Sequence, residues 1–358
     1  MKVAVLGAGN GGCAVACDMS LRGHEVTLIK TSNAMHNENF QYLIENDGAI
    51  ELFENGEVKA SKLSKVTTDV SQLSECEIVI VYVQTKFHES LVERMIPYLK
   101  PNQIVMFNPG YLSTAYMLKH KVRDDVIMVE AESSFIDCRI YEPGKIKVGF
   151  RNVRNPLGIY PSSRKEEAIE KLECLGFPFT YLSSVVEAAL HNPNLIVHTV
   201  GAVMSIPRIE KTKGEYCMYH EVFTPSVWRI LEQLDSEKMD VLEQLGFERL
   251  PYVEACKFRN SLDDDRDAKE VFFWYAAMPT RAKGPIVVDS RYISEDVPQG
   301  LVMLEALGKQ MSIPTPITTS LIELASSALG RDLRAEGRSP EKLGQENIAR
   351  ILADCKSK

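Results

Sequence analysis

The residues of this chain best suited to chemistry are one histidine and a short charged segment far downstream of it. His198 lies in HNPNLIVHTVGAVMS (191–205), an otherwise apolar helical stretch. The segment SRYISEDVPQG (290–300) carries Arg291, Glu295 and Asp296 between Val287-Val288 and the apolar run LVMLEALG. Charges in that setting sit at the edge of buried structure. A carboxylate bonded to an imidazole fixes its tautomer and raises its basicity, which suits it to move a proton near neutral pH. The same residues also fit a satisfied core histidine and, separately, an Arg291–Asp296 ion pair at a helix N-terminus. Spacing alone does not separate the two.

A second group occupies the N-terminus, MKVAVLGAGNGGCAVACDMSLRGHEVTLIK. Gly7, Gly9 and Gly12 fall in G-x-G-x-x-G spacing, with Asn10 and Gly11 inside the loop. The run before them is a buried strand, the run after them an apolar helix (14–21), and 25–29 a second strand. Gly7 permits the turn, Gly9 lets a pyrophosphate approach the backbone, and Gly12 lets the helix pack on the strand. The helix N-terminus adds free N–H groups and the positive end of its dipole. This context predicts a bound dinucleotide. An NAD site ordinarily places Asp or Glu at the end of the second strand, where it bonds the ribose 2′-hydroxyl. Here Lys30, Thr31 and Ser32 stand there instead, with Arg22 just before the strand. One cation and two hydroxyls favour NADP(H), with NAD as the alternative.

These groups need a scaffold, and the hydropathy pattern supplies one. Strands alternate with helices to about residue 183: a short hairpin at 49–52 and 57–59, strands at 77–83, 104–107, 125–130 and 145–150, and helices at 88–99 and 166–174. Such alternation predicts an α/β Rossmann-type doubly wound sheet. Thereafter long helical periodicities take over, at 185–204, 225–245, 301–311, 316–329 and 340–353. The expected division is a dinucleotide-binding domain at 1–183 and an all-α catalytic domain at 184–358. The cleft between two such domains is the default place for a ligand.

At 358 residues, with 45% hydrophobic and 25% charged residues, the chain is an ordinary globular protein of two domains. The formal net charge of −8 excludes a nucleic-acid partner as the leading expectation. No signal peptide and no apolar run near membrane-spanning length are read, so a cytoplasmic location and no membrane partner are expected. The eight cysteines are scattered without C-x-x-C, and the histidines show no H-x-x-x-H pair; reduced thiols and no metal are expected. Asp263-Asp264-Asp265 reads as a solvated loop. Phe272, Phe273, Trp274 and Tyr275 read as a side-chain pocket or as core or subunit interface. His191 and His220 are left undecided.

The glycine loop, HNPNLIVHTVGAVMSIPRIE (191–210), RYISEDVPQGLVMLEALG (291–308) and IPTP (313–316) together resemble the opine dehydrogenases, the NAD/NADP octopine/nopaline dehydrogenase family. The resemblance spans nearly the whole chain. It implies an oxidoreductase that condenses an amino acid with a 2-keto acid such as pyruvate and reduces the imine with hydride from NAD(P)H. It implies that His198 and Asp296 form the acid/base dyad and that Arg291 clamps the amino-acid carboxylate, a task suited to a planar guanidinium. In the first domain, EAESSFIDCR (130–139) resembles a segment that helps hold the keto acid, with Ser133 in the place of a threonine. Asn108, in Asn108-Pro109-Gly110, is expected at the nicotinamide end or as a plain turn. His88 ends VYVQTKFH (81–88), where Gln84-Thr85 depart from the family's Pro-Ala. The alternatives are a 2-keto-acid or ketopantoate-type reductase, for whose lysine base no motif is found, and a non-catalytic NADP(H) sensor. A homodimer is compatible with all three.

Overall fold

Val3, Ala4, Val5 and Leu6 have no exposed surface. In the computed structural model, which describes every residue except 280, 282 and 356–358, they form the central strand β1 (Lys2–Leu6). A continuous apolar run suits a strand covered on both faces. The other strands are β2 (Glu25–Ile29), β3 (Ala49–Glu54), β4 (Glu57–Lys62), β5 (Lys65–Thr67) and β6 (Ile78–Val81). They continue with β7 (Ile104–Phe107), β8 (Ile127–Ala131), β9 (Ile136–Glu142), β10 (Lys145–Arg151), β11 (Asn155–Tyr160) and β12 (Phe179–Tyr181).

Eight of them form one sheet in the order β12-β11-β8-β7-β6-β1-β2-β5. The run from β8 to β5 is parallel, while β11 pairs antiparallel to β8. The chain winds outward from β1 in both directions, so β1 with β2 on one side and β6 on the other is the switch point. Ligands of such sheets lie beyond the carboxyl ends of strands at that point. This is the doubly wound α/β sheet the sequence predicts.

Three expectations are corrected. The expected hairpin forms as β3–β4, but it and strand β10 lie outside the main sheet; with β9 they make a second sheet, β4-β3-β10-β9. The helix Asn10–Leu21 is bonded to it: Arg151, on β10, pairs with Asp18 of that helix at 3.2 Å and with Glu54 at 2.9 Å. The second correction is the helix expected over 185–204. It breaks into Val185–Leu190 and Pro193–Met204. Pro193 lacks an N–H and turns Asn192 out of the helical region (φ −56°, ψ 118°), where the Asn192 carboxamide caps the new helix by accepting from Asn194 N–H at 3.0 Å. The helix expected over 340–353 likewise divides, at Gly344, into Pro340–Leu343 and Gln345–Cys355.

The chain divides into Met1–Val185 and Val186–Lys358. The described residues of the second unit are mainly helical, with Pro225–Gln244 and Pro316–Leu329 packed on Pro193–Met204 and Val302–Met311 packed on those two. Among the described residues no helix is long and apolar enough to cross a membrane, and no cluster of His, Cys, Asp or Glu could hold a metal ion.

Inside the second unit, His191 is buried with neither ring nitrogen hydrogen-bonded among the described residues. Burial, with Lys238 and Arg259 adding repulsion, holds its pKa well below 6.5. The unfolded chain therefore takes up a proton below pH 6.5 that the folded unit refuses, and stability falls with falling pH by up to about 1.4 kcal/mol per unit. Urea unfolding at neutral pH and below 6.5 is expected to show this loss, and His191→Gln to lessen it. An unchanged pH slope in the variant would place the acid sensitivity elsewhere.

Candidate active site

The turn after β1 depends on glycine at three places. Gly7 has φ +108°, and a Cβ there would lie 2.3 Å from the Tyr82 carbonyl oxygen. A Cβ on Gly12 would lie 1.8 Å from the Gly7 carbonyl oxygen, and one on Gly11 2.9 Å from the Tyr82 ring. Gly9 differs. A Cβ there would meet only the edge of the His36 ring, at 3.7 Å, so this face of the loop is open. It lies at the N-terminus of the helix Asn10–Leu21, whose first N–H groups await an acceptor. The loop thus fits the pyrophosphate of a dinucleotide. The Asn10 side-chain oxygen is engaged elsewhere, accepting from Ile140 N–H at 2.8 Å on β9.

At the end of β2 the expected cation is turned inward. Lys30 is buried, its ammonium bonded to the Met35 carbonyl and 5.6 Å from the Phe40 ring centroid, and burial lowers its pKa. Thr31 and Ser32 are the more accessible members. One other cation, Arg94, stands beside them with His36, whose pKa burial and the nearby Lys30 hold below 6.5. Arg94 donates to the Thr31 carbonyl at 3.0 Å, and His36 adopts a left-handed conformation (φ 56°) against Gly9. Neither was legible in the sequence, because Arg94 arrives from a helix about sixty residues later.

Asn108 directly follows β7 and is 2% exposed, yet neither its carboxamide oxygen nor its nitrogen has a partner among the described residues. An unsatisfied buried amide is costly and marks a place where a bound group would be satisfied. Ser133 follows β8, and its hydroxyl accepts from the Asn152 carboxamide at 3.1 Å. His88 is a structural tie: its ring bonds Ser113 Oγ at 2.6 Å and the Val83 carbonyl at 2.9 Å, joining the loops after β6 and β7.

In the helical unit, His198 Nδ1 lies 2.8 Å from Asp296 Oδ2, with both side chains buried. Local structure fixes each partner. His198 is on the helix capped by Asn192. Asp296 precedes a π-turn, Val297–Leu301, that contains Pro298. The fully buried Arg338 holds that turn, donating from its backbone to the Pro298 carbonyl and from Nε to Gln299 Oε1, each at 2.9 Å. Gly201, three residues after His198, has Met218 Sδ 2.7 Å from where its Cβ would stand. That close approach draws in the short helix Met218–Glu221 and sets Tyr219 Oη 3.1 Å from His198 Nε2. Tyr292 stacks on the imidazole, centroids 3.9 Å apart and planes at 26°.

Burial holds the His198 pKa below its ordinary value, the Asp296 bond and charge pull it back up, and Arg291 and Arg281 push it down. The imidazole is therefore neutral at neutral pH, with Nδ1–H directed at Asp296 and Nε2 able to accept a proton. Arg291 opens the helix Arg291–Ser294 and is exposed. Arg281 donates to Tyr275 Oη at 2.8 Å and stacks on the Tyr275 and Tyr219 rings, at 4.1 and 5.5 Å. Beside them lies an open cavity of about 410 Å³, lined by Tyr219, His220, Glu221, Phe223, Thr224, Phe273, Ala276 and Ala277. Sequence reasoning singled out Phe273 and His220 but missed Tyr219, Tyr292 and Arg281. The nearest signal was the density of aromatics around Cys217-Met218-Tyr219-His220, which carries no spacing rule.

Residues 181–329 match the family described as NAD/NADP octopine/nopaline dehydrogenase, alpha-helical domain, and residues 3–148 match ketopantoate reductase PanE/ApbA. An opine dehydrogenase of Arthrobacter sp. (strain 1C) is 27% identical over 353 residues, covering 96% of this chain and 95% of that protein. Octopine dehydrogenase in complex with NADH and agmatine superposes with a TM-score of 0.78 at 18% identity, over 99% of this chain and 98% of that one. A yersinopine dehydrogenase with NADP+ bound gives a TM-score of 0.73 at 15% identity, over 100% of this chain and 99% of that one.

Proposed function

We propose that this chain, an NAD(P)-dependent oxidoreductase of the opine dehydrogenase family, joins an amino acid to a 2-keto acid and reduces the resulting imine, with NADP(H) preferred. The hydrogen bond between His198 Nδ1 and Asp296 Oδ2 is the observation that carries the reading. A neutral imidazole with its Nδ1–H fixed on a buried carboxylate can take a proton at Nε2 and return it. The amino acid arrives as an ammonium and attacks only after losing a proton. His198 accepts that proton, and Asp296 stabilises the imidazolium. The same proton then goes to the hydroxyl that departs as water when the addition product collapses to an iminium. Arg291 binds the amino-acid carboxylate, and Ser133 and Asn108 supply a hydroxyl and a carboxamide for polar groups of the keto acid or cofactor.

Gly7, Gly9, Gly11 and Gly12, with the backbone of Asn10, would hold the pyrophosphate. When bound, the nicotinamide supplies the hydride that reduces the iminium carbon. Thr31 and Ser32, with Arg94 bonded to the Thr31 carbonyl and no carboxylate at the strand end, support NADP(H) over NAD(H). The experiment is NADPH and NADH oxidation with pyruvate across a panel of amino acids. Oxidation is expected to depend on the added amino acid and to be faster with NADPH. Equal oxidation without any amine would favour a simple keto-acid reductase instead.

A further inference from the structure

His198 does not line the 410 Å³ cavity of the helical unit, but Tyr219 does. The His198 side chain is only 7% exposed, and a substrate in that cavity cannot reach it as easily as it reaches a tyrosine in the wall. Asp296 occupies Nδ1, so Nε2 is the nitrogen left for chemistry, and the hydroxyl of Tyr219 lies 3.1 Å from it. Asp296, His198 and Tyr219 form one hydrogen-bonded chain, with a buried carboxylate at one end and a cavity-lining phenol at the other. Tyr292 covers the imidazole face, which removes a second approach to the ring.

We propose that Tyr219 is a catalytic residue that carries the proton between His198 Nε2 and a substrate bound in this cavity. The proposal rests on the reading of the preceding subsection and names the group through which that reading acts. The phenol receives one proton as it gives another, so no phenolate accumulates. In the first step an ammonium N–H bond of the amino acid breaks and its proton passes to Tyr219 Oη. The phenolic proton moves to His198 Nε2, and the imidazolium forms against Asp296. The free amine then adds to the ketone carbon, and one proton shifts from nitrogen to the new oxygen. In the return step His198 Nε2–H reprotonates Tyr219 Oη while the phenolic O–H protonates the departing hydroxyl. Water leaves and an iminium remains, which the hydride reduces to a secondary amine. One proton is borrowed and returned, and the product amine takes its last proton from solvent.

The surroundings fit this role. The Arg281 guanidinium lies over the Tyr219 ring at 5.5 Å, where it favours the negative character the phenol oxygen acquires in transit. Among the cavity's other protic groups, Glu221 is paired with Arg208 at 3.0 Å, and His220 and Thr224 are exposed. Phe223, Phe273, Ala276 and Ala277 make part of the cavity wall apolar, which disfavours the charged ammonium relative to the free amine there.

The test compares Tyr219→Phe, His198→Gln and the double variant, each with steady-state kinetics, a pH profile and NADPH binding by fluorescence. Tyr219→Phe keeps the ring and its packing. It is expected to lower kcat by ~100-fold, within the span of general acid–base catalysis, to flatten the acidic limb of the pH profile and to leave NADPH affinity unchanged. The double variant should fall no further than His198→Gln, because groups acting in series are not additive. Wild-type kcat and pH profile in Tyr219→Phe would overturn the relay and leave the His198–Asp296 reading standing, as would a change confined to KM. Wild-type kcat in His198→Gln, or no amine-dependent turnover in the parent protein, would overturn that reading and the relay with it.

Discussion

Replacing His198 by glutamine is expected to lower kcat by ~10²- to 10⁴-fold, the usual contribution of a positioned acid/base group, with NADPH affinity at the wild-type value. Glutamine can still donate to Asp296 and lie beneath Tyr292, so packing is largely kept while titration is lost. Burial holds the His198 pKa below 6.5, against the pull of Asp296. The sign of the pH effect follows. The neutral imidazole is the proton acceptor, so kcat/KM of the parent protein should fall on the acid side, with its midpoint below 6.5. That limb should be missing from the residual activity of the variant. A kinetic series across pH, paired with fluorescence titration of NADPH, checks both statements. Unchanged kcat in His198→Gln would remove the dyad from the mechanism.

Alanine at Gly12 has an equally large effect, through the cofactor rather than the proton. The new Cβ would stand 1.8 Å from the Gly7 carbonyl oxygen, an impossible contact with backbone. Either the helix Asn10–Leu21 withdraws from β1 or the glycine turn opens, and both displace the N–H groups that hold a pyrophosphate. NADPH affinity is expected to fall by ~100-fold or more, equivalent to about 2.7 kcal/mol, and the melting temperature to fall as well. Gly9→Ala is the informative partner. Its Cβ meets only the His36 edge at 3.7 Å, so the fold should survive while the methyl intrudes where the phosphates approach. Equal NADPH affinity in wild type and Gly12→Ala, by fluorescence titration, would show that this loop does not hold the cofactor.

The parts of this architecture that were legible in the sequence are those set by local pattern. Lys2–Leu6, the glycine spacing and Glu25–Ile29 carry their own periodicity and turn chemistry, and the structure places them as expected. Sheet membership was not legible. Strand β10 reads like any other strand, but it pairs in parallel with β3, about ninety residues earlier, and no local signal encodes that partner. The interruption at Pro193 was visible as a residue, yet the apolar run on either side outweighed it in the reading of one long helix. At the candidate site, His198, Arg291 and Asp296 were found as residue types, and the meeting of His198 with Asp296 is a matter of two helices packing. Tyr219 reaches the same imidazole because Gly201 admits Met218, a contact between a glycine and a side chain that sequence spacing does not express.

Lys30 teaches the converse. A lysine at the end of β2 is the residue type wanted beside a 2′-phosphate, but its ammonium is bonded to the Met35 carbonyl and lies near Phe40. Residue type gave the sign of the charge at that position. Its direction depended on the loop that follows, which folds His36 back toward Gly9.

The most direct measurement is the mass of the product formed from pyruvate, an accepted amino acid and NADPH deuterated at the transferable position. The expected product is a secondary amine that combines the amino acid and pyruvate less one oxygen, with one deuterium on the former ketone carbon. Deuterated lactate as the sole product, at the same rate with or without the amino acid, would contradict imine reduction.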